Sequence, residues 1–478
     1  MDDLQFTKKV ISASKWSSFS GSFIKGIQMI TFLAIAWFLT PAEYGIASIG
    51  IIIVGFLQIL RELGLNKALI NTKQNIDDVL NIVFWSHVVM GVLIYIILFF
   101  NVSLIVDMFH DARLGNVMRI LGLQIIIDSI DDVYIGLYQR DLNFKSLSWI
   151  NSFTTIFPAI FSVLLAYFGF SYWSIIISNL IGHFVQLIVL WMIHPWHPEL
   201  KFNLEVSKNL FSYGFWITTD SLSSYLGNWL DVIVIGTFMG ITILGIYTIA
   251  KNFVSMIYSI IISPFFPVFF SSFSLLQSQV EKFRSMVLLV YKLVLMILLP
   301  SGIGLFLTSD LLSTIFFKSN YIGIGQIIGY LSLTFTLINF REINNICLRA
   351  IGQAKLSSYF SFLIILITFP IFIISILQNL YLFLLMNFLL NLFITLISSL
   401  VLTKEIDLSE LSLIKSFKWI INSNFLMILT ILLSFIIIPN GNPSIKLLLI
   451  ILFGIVSYSI FLFPERDFIK KLVKISIS

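Results

Sequence analysis

The chain has 478 residues, of which 58% are hydrophobic and only 11% are charged, and its mean hydropathy is +0.99. A soluble globular protein carries about 25% charged residues, so this composition excludes a soluble fold and indicates a polytopic membrane protein. The net charge of +5 does not indicate nucleic-acid binding, and the one cysteine, Cys347, excludes an intrachain disulfide and a Cys-rich metal site.

Apolar stretches long enough to cross a hydrocarbon layer of about 30 Å recur from one end of the chain to the other. They predict an all-α membrane protein with about fourteen transmembrane helices. The first span lacks a clear cleavage site, so it is expected to be retained as a helix rather than removed as a signal peptide. In chain order the predicted spans are 16–39, 44–63, 79–100, 114–138, 146–168, 172–193, 209–236, 243–267, 286–308, 322–346, 356–376, 380–403, 420–438 and 445–463.

Basic residues test the number and direction of these spans. Of the 29 Lys and Arg residues, 21 fall in the N-terminus and the loops on its side, 3 in the opposite loops and 5 within spans. Arg61 and Lys446, at the ends of their spans, are counted with the adjoining cytoplasmic and opposite loops, respectively. Because Lys and Arg concentrate on the cytoplasmic side of a membrane, both termini are predicted to be cytoplasmic. A missed or invented span would invert every later loop and remove this bias.

An internal repeat relates the two halves of the chain. Residues 38–46 align with 238–246, and residues 140–148 align with 350–358. Each match is weak alone, but together they keep their register over six spans. Since both copies begin on the cytoplasmic side, the repeats are parallel and related by an axis along the membrane normal.

The repeat predicts two six-helix lobes in a pseudo-twofold arrangement. The N-lobe covers 1–200, the C-lobe covers 201–403, and two additional transmembrane helices follow at 404–478. The largest polar connections, 194–208 and 404–419, are too short to form a soluble domain. Any chemistry is therefore expected at membrane depth or in small loops.

Basic side chains inside the spans predict a binding cavity. Each costs about 2.5–3.5 kcal/mol or more in hydrocarbon, so each is expected to face a partner or a wet cavity. Lys25 falls near the middle of the first span, too deep for easy snorkelling. Arg119 and Lys292 are weaker candidates, because their stripes are otherwise apolar and they lie nearer helix ends. The candidates for a hydrated cavity that binds an anionic head group and a glycan are Lys25, Lys251, Arg341, Arg119, Lys292, Gln28 and Asn345.

Carboxylates inside the spans are expected to balance these cations or to couple transport to an ion. The alternative is structural pairing, for example of Asp220 with Lys251 or of Asp128 with Lys25. The aspartates of the fourth span also lie toward its cytoplasmic end, where half of them would simply be interfacial. The candidates for ion coupling or charge balance are Asp128, Asp131, Asp220, Asp231 and Glu342.

The motifs of enzymes and nucleotide-driven pumps are missing from the sequence. It contains no Walker motif, no GxGxxG that opens a helix after a strand, no HExxH and no GxSxG. His194 and His197 lack a third ligand nearby, so an interfacial loop anchored by Trp196 is favoured over a metal site. A transporter without catalytic residues, cofactor or metal is therefore predicted.

Two stretches resemble a known family. Gln28–Ile70, with the Pro41–Gly45 turn, the Gly64-Leu65 element and the Ala68–Ile70 tail, is similar to the opening of Wzx-type polysaccharide exporters. Tyr138–Ser148, YQRDLNFKSLS, resembles the exporters of colanic and teichuronic acid within that group. These exporters of O-antigen, capsule and similar glycans form one superfamily with multidrug MATE transporters and lipid II flippases. The resemblance covers about the first 360 residues in topology, with specific motifs in the first 150.

The resemblance implies a fourteen-helix, two-lobed exporter that opens alternately to each side of the bacterial cytoplasmic membrane. Its substrate would be an undecaprenyl-diphosphate-linked oligosaccharide, moved to the outer leaflet for surface polysaccharide synthesis. Protons or sodium ions and a polysaccharide polymerase would be further partners. The intramembrane bases are compatible with a diphosphate, while the lipid tail could stay in the bilayer.

Two other functions remain open. A MATE-like antiporter would exchange a cationic drug for protons or sodium, and its site should be net acidic, whereas Lys25, Lys251 and Arg341 favour an anionic cargo. A membrane-embedded polysaccharide polymerase or glycosyltransferase would be expected to carry catalytic groups on a sizeable extracytoplasmic loop, and the predicted outer loops are short.

Overall fold

A computed structural model describes residues 24–71, 76–141, 143–200, 204–408, 410–438 and 441–465. These residues form α-helices, two short 3-10 segments and connecting turns, and no strand occurs within the described ranges. The helices are α1 (Ile24–Phe38), α2 (Pro41–Glu62), α3 (Leu65–Asn71), α4 (Ile76–Phe100), α5 (Val102–Phe109), α6 (Arg113–Leu121), α7 (Leu123–Arg140), α8 (Phe144–Tyr167), α9 (Trp173–Ile193), α10 (Leu204–Met239), α11 (Ile241–Ile261), α12 (Phe266–Leu276), α13 (Val280–Phe316), α14 (Ile324–Ala350), α15 (Ala354–Ile376), α16 (Leu380–Glu405), α17 (Glu410–Ile437) and α18 (Pro443–Phe461).

The all-α membrane fold predicted from the sequence is confirmed. Each predicted span overlaps a helix, although residues 16–23 of the first span lie outside the described residues. The fourth span overlaps α6 and α7, which meet at Gly122, and the eighth overlaps α11 and the first two residues of α12. In the part of the chain that the structure describes, 9 helices are long and apolar enough to cross a membrane by length and composition. The long helices α7, α10 and α14, which carry charged side chains, are not among them. The count of fourteen crossings therefore stays a prediction.

Helix α2 has a well-defined start and end. Thr40 and Glu43 form a capping box, in which the Thr40 N–H donates to Glu43 Oε2 over 2.7 Å and the Glu43 N–H donates to Thr40 Oγ1. Pro41 occupies the first turn, where its missing N–H has no helical partner to lose. Leu63 adopts a left-handed conformation (φ 49°) after the last turn. These features position the polar residues at the end of α2.

The chain divides into two compact units, 1–249 and 250–478, so the lobe bounds given by the repeat remain a prediction. Within the first unit, α2 and the start of α11 meet backbone to backbone. A Cβ on Gly45 would overlap the Ile241 carbonyl oxygen, and a Cβ on Gly245 would overlap the Pro41 carbonyl oxygen. Positions 41 and 45 align with 241 and 245 in the sequence repeat. Reciprocal contacts of this kind are what a twofold relation between two copies produces.

In the second unit, buried hydrogen bonds tie α13 and α14 to their neighbours. Tyr258 of α11 donates to the Ser332 carbonyl oxygen of α14 over 2.9 Å. Tyr291 of α13 donates to Asn344 Oδ1, and Asn344 Nδ2 donates to Ser398 Oγ of α16 over 3.1 Å. Small and polar residues take this role in membrane proteins because lipid offers no hydrophobic drive for helix association. These bonds hold α11, α13 and α16 against α14 in the second unit.

Candidate functional site

Three carboxylates on α7 gather on one side of the helix inside the first unit. Asp128, Asp131 and Asp132, named here the α7 acidic cluster, follow the three- and four-residue spacing that places side chains on a shared face. Asp131 is fully buried and Asp128 is nearly so. Because buried charges are costly unless they are paired or hydrogen-bonded, their partners decide what the cluster can do.

Arg61, near the end of α2, is the main cation facing the cluster. The residue is only 3% exposed. Nη1 donates to the Asp128 carbonyl oxygen over 2.8 Å, and Nη2 forms an ion pair with Asp132. Although its position near the end of a span suggests a cytoplasmic base, Arg61 is therefore a buried link between α2 and α7.

Amide and imidazole groups surround the remaining carboxylate oxygens. Gln58 Nε2 donates to Asp128 Oδ2 over 2.5 Å, and His183 Nδ1 of α9 lies 2.7 Å from Asp128 Oδ1. Gln186 Nε2, one turn further along α9, donates to Asp131 over 3.1 Å. The other oxygen of that carboxylate, Asp131 Oδ1, has no hydrogen-bond partner within the described ranges. The cluster thus keeps one buried acceptor available.

A cavity of about 380 Å³ opens beside the cluster in the first unit. Among the charged residues on its wall, the carboxylates Glu62, Asp128 and Asp132 outnumber the guanidinium of Arg61. Such a cavity attracts a proton or a small cation and repels a diphosphate. Its lining is Gly55, Gln58, Ile59, Arg61, Glu62, Asp128, Asp132, His183, Gln186 and Tyr225.

An apolar groove of about 450 Å³ lies in the second unit between α11, α13, α17 and α18, and it is named here the α13–α17–α18 groove. Gly304 opens its wall, because a Cβ there would meet nothing within 4 Å. Most of the lining is aliphatic. The lining residues are Ile257, Ile261, Met296, Ile297, Pro300, Ser301, Gly304, Leu305, Thr308, Leu312, Met427, Ile431, Ile451, Gly454, Ile455 and Tyr458.

Pro300 explains how α18 is held at this groove. Proline has no N–H, so in α13 the carbonyl four residues earlier, that of Met296, loses its helical partner. The Tyr458 hydroxyl of α18 donates to this Met296 oxygen over 2.9 Å. A freed carbonyl at membrane depth needs such a partner, and the bond ties the C-terminal helix to α13.

The basic residues predicted to bind substrate lie in both units. Arg341 on α14 is half-buried, and its Nη1 donates to Asn391 Oδ1 of α16 over 3.0 Å. Lys25 on α1 and Lys251 on α11 are also half-buried, and each has an interaction partner. Lys25 belongs to the first unit and the other two to the second. Their meeting in one cavity remains a prediction.

The two weaker basic candidates have partners of other kinds. Arg119 on α6 is exposed, and its guanidinium carbon lies 5.4 Å from the centre of the Phe99 ring. Lys292 on α13 forms an ion pair with Glu465, with 2.5 Å between Nζ and Oε2. These contacts give each side chain a structural role, as is common for intramembrane charges.

The other predicted residues are distributed over three helices. Gln28 on α1 and Asp220 on α10 are exposed. Asp231 on α10 is buried and accepts a hydrogen bond of 2.6 Å from the Tyr247 hydroxyl. On α14, Asn345 Nδ2 donates to Glu342 Oε2 over 3.1 Å, and Glu342 also pairs with Arg349. The structure thus brings together Asp128 with Asp131, and Glu342 with Asn345.

The sequence analysis missed four members of the first-unit cavity: Gln58, Arg61, His183 and Gln186. The sequence does contain a signal for them, which is a three-residue spacing of polar residues within apolar stretches. Gln58 and Arg61 have this spacing, and so do His183 and Gln186. Two polar residues at that spacing share a helix face. Intramembrane polar pairs of this kind indicate a wet or paired surface.

Sequence comparisons place the chain among proteins of polysaccharide biosynthesis. A family model described as "Polysaccharide biosynthesis protein" matches residues 34–326. The teichuronic acid biosynthesis protein TuaB of Bacillus subtilis is 26% identical over 359 residues, covering 74% of both chains. The lipopolysaccharide biosynthesis protein WzxC of Escherichia coli is 23% identical over 350 residues, covering 72% of this chain and 69% of its own length.

Solved structures with similar folds include a lipid II flippase and multidrug transporters. The flippase MurJ, in an inward closed conformation, superposes with a TM-score of 0.80 at 18% identity, covering 95% of this chain and 99% of its own. An inward-facing MATE multidrug transporter has a TM-score of 0.64 at 14% identity, covering 80% of this chain and 95% of its own. The chain has their fold and, since the family model matches more than half of its length, it belongs to the polysaccharide biosynthesis protein family.

Proposed function

We propose that this protein is an alternating-access flippase that carries an undecaprenyl-diphosphate-linked oligosaccharide across the bacterial cytoplasmic membrane for surface polysaccharide synthesis. Its relatives are named for the biosynthesis of teichuronic acid and lipopolysaccharide and for succinoglycan transport. Both termini would be cytoplasmic, as the distribution of basic residues predicts. The protein would act without catalytic chemistry and would deliver its cargo to a polysaccharide polymerase.

The α13–α17–α18 groove carries this proposal. Its lining is largely aliphatic and extends along α13 from Met296 to Leu312, so it suits a polyprenyl chain better than a compact cationic drug. No Asp or Glu is among the residues that line this groove. It therefore offers a cationic drug no counter-charge, which favours the lipid-linked cargo over the drug antiporter.

The cargo's diphosphate requires cations away from the α7 acidic cluster. We assign this role to Lys25, Lys251 and Arg341. Their positions within spans make their charge costly unless a partner or a bound ligand compensates it. Gln28 and Asn345 would donate further hydrogen bonds. Arg119 and Lys292 are weaker candidates, since Phe99 and Glu465 already engage them.

The α7 acidic cluster would couple transport to a proton or a sodium ion. Asp131 keeps an unpartnered buried oxygen, and Asp128 lies against the imidazole of His183. Asp220, Asp231 and Glu342 would balance charge elsewhere. A net acidic cavity is also what a drug antiporter would use, so a transport assay must separate the two functions.

Export in a bacterial strain that lacks its own polysaccharide flippase tests the proposal. Expression of this chain should restore surface glycan, while the purified protein should polymerise no glycan in vitro. Polymerisation by purified protein would favour the enzyme alternative. Resistance to cationic drugs without surface glycan would favour the antiporter.

Charge reversal tests the diphosphate assignment in the same strain. Lys25→Glu and Arg341→Glu should each reduce export at least tenfold, about 1.4 kcal/mol, because a carboxylate repels the diphosphate. Lys318→Glu, at an exposed position in the turn between α13 and α14, is the matched control and should export normally. Membrane insertion, measured by fluorescence-detected gel filtration, should be unchanged in all three variants. Normal export by both span variants would remove these residues from the mechanism.

A further inference from the structure

A second cavity of the second unit has a different character from the apolar groove. It has a volume of about 630 Å³, within the range of about 300–1,000 Å³ that small-ligand sites occupy. It lies between the C-terminal part of α13, the start of α14 and the start of α16. Its lining is Phe306, Leu307, Ser309, Asp310, Gln326, Gly329, Tyr330 and Tyr381.

Two glycines of α14 allow side chains of α13 to approach the α14 backbone closely at this cavity. A Cβ on Gly325 would lie 2.5 Å from Asp310 Oδ1, and a Cβ on Gly329 would lie 3.1 Å from Ser309 Oγ. Because the glycines are four residues apart, they share one face of α14. The absence of their side chains lets the exposed Asp310 carboxylate lie directly against the α14 backbone.

Aromatic rings also line this cavity. The Phe306 and Tyr330 rings meet edge to face, with 6.1 Å between their centres and 82° between their planes. This arrangement is favourable between aromatic rings and holds the Tyr330 ring in place. Tyr381, at the start of α16, is 53% exposed and supplies a second tyrosine. The cavity therefore combines the apolar faces of aromatic rings with the hydrogen-bonding hydroxyls of Tyr330 and Tyr381.

The chemistry of this lining matches a sugar. A pyranose ring presents an apolar C–H face, which packs on an aromatic ring, and a rim of hydroxyls, which donate to carboxylates and exchange hydrogen bonds with amides and phenols. Asp310 and Gln326 supply the carboxylate and the amide. No Lys or Arg is among the lining residues, so a diphosphate would meet only a carboxylate there.

We propose that this cavity binds sugar units of the transported oligosaccharide after they have crossed the membrane. The proposal rests on the function proposed above. The turn between α13 and α14 belongs to the loops predicted to face outward, so the cavity would hold the glycan on the exit side, away from the cations assigned to its diphosphate. It adds a recognition site for the glycan itself, independent of the lipid.

Saturation-transfer NMR on the full chain in nanodiscs tests this site. The probe is the free oligosaccharide released by mild acid from the host's own undecaprenyl-diphosphate pool. The wild type should transfer saturation to sugar protons. Tyr381→Ala should reduce the transfer by roughly fivefold or more, the effect expected from loss of one aromatic contact, and Asp310→Asn should also reduce it. Tyr381→Phe, which keeps the ring, should retain most of it.

Matched controls separate sugar binding from a general membrane role of exposed tyrosines. Tyr167→Ala removes a tyrosine that is 70% exposed on α8, and Asp107→Asn neutralises an exposed carboxylate on α5. Both should transfer saturation as the wild type does. Equal transfer by the wild type and the Tyr381→Ala and Asp310→Asn variants, or no transfer by the wild type, would overturn the proposal.

The export assay keeps failure of this site distinct from failure of the flippase function. Restored surface glycan together with unchanged saturation transfer in the cavity variants would leave the flippase standing and remove the sugar site. Saturation transfer that depends on Tyr381 without any restored export would keep the sugar site and remove the flippase function.

Discussion

Gly304→Phe is expected to abolish export of the lipid-linked glycan while leaving the protein folded. The glycine opens the wall of the α13–α17–α18 groove, and nothing lies within 4 Å of the position where a Cβ would be placed. A phenyl ring can therefore enter the groove without a clash at its base and occupy the path of a polyprenyl chain. We expect at least a tenfold loss of export, about 1.4 kcal/mol, measured as surface glycan in the flippase-deficient strain.

The loss of export in Gly304→Phe should come from steric blockage, because moving a polyprenyl chain from the bilayer into the groove yields little hydrophobic free energy. Lipid tails are as apolar as the groove, so a polyprenyl chain is held there by packing. Gly304→Ala adds volume that meets no neighbour and should export normally. Leu363→Phe, at an exposed site on α15, adds an aromatic ring outside the groove and should also export normally. Normal export by Gly304→Phe would show that the lipid does not use this groove.

Arg61→Gln is expected to be the most destabilising single change among the residues of the α7 acidic cluster and its polar partners. The guanidinium is buried, bonds the Asp128 carbonyl oxygen and pairs with Asp132. Its removal leaves carboxylates without their main cation, and breaking one side of a buried pair costs about 3–5 kcal/mol. Thermal unfolding of the detergent-solubilised protein, monitored by gel filtration, should show a clear loss of stability. Export should fall together with stability.

A double-mutant cycle identifies the cause. Asp132→Asn keeps the Arg61 bond to the Asp128 carbonyl oxygen and should cost less than Arg61→Gln. Arg61→Gln combined with Asp132→Asn should be more stable than Arg61→Gln alone, because it removes one uncompensated carboxylate. If the double variant were as unstable as the sum of the two single variants, the pair would not be coupled and Arg61 would act through other contacts.

The sequence predicted the helices well because the bilayer imposes one dominant constraint. Apolar runs of span length, separated by basic loops, leave few alternatives for placing helices. The break at Gly122, which divides the predicted fourth span into α6 and α7, was missed because Gly122 lies between two leucines and keeps right-handed helical backbone angles (φ −59°, ψ −23°). Hydropathy averages over such a window and does not register a local break.

Side-chain partners were harder to predict. Asp128 and Asp131 were chosen from charge inside a span, and the structure places both in a buried polar cluster. Arg61 was counted among the cytoplasmic bases, since only the packing of α2 against α7 shows that it turns inward. The Met296 carbonyl bond from Tyr458 joins residues 162 positions apart, which helical periodicity cannot connect.

Flipping by purified protein in proteoliposomes tests the central claim most directly. Vesicles would contain undecaprenyl-diphosphate-linked oligosaccharide in both leaflets, and an added membrane-impermeant glycosidase would cleave only the glycan exposed outside. The wild type should make the inner pool accessible over time, and Gly304→Phe should not. An inner pool that stays as protected with the wild-type protein as in protein-free vesicles would contradict the account.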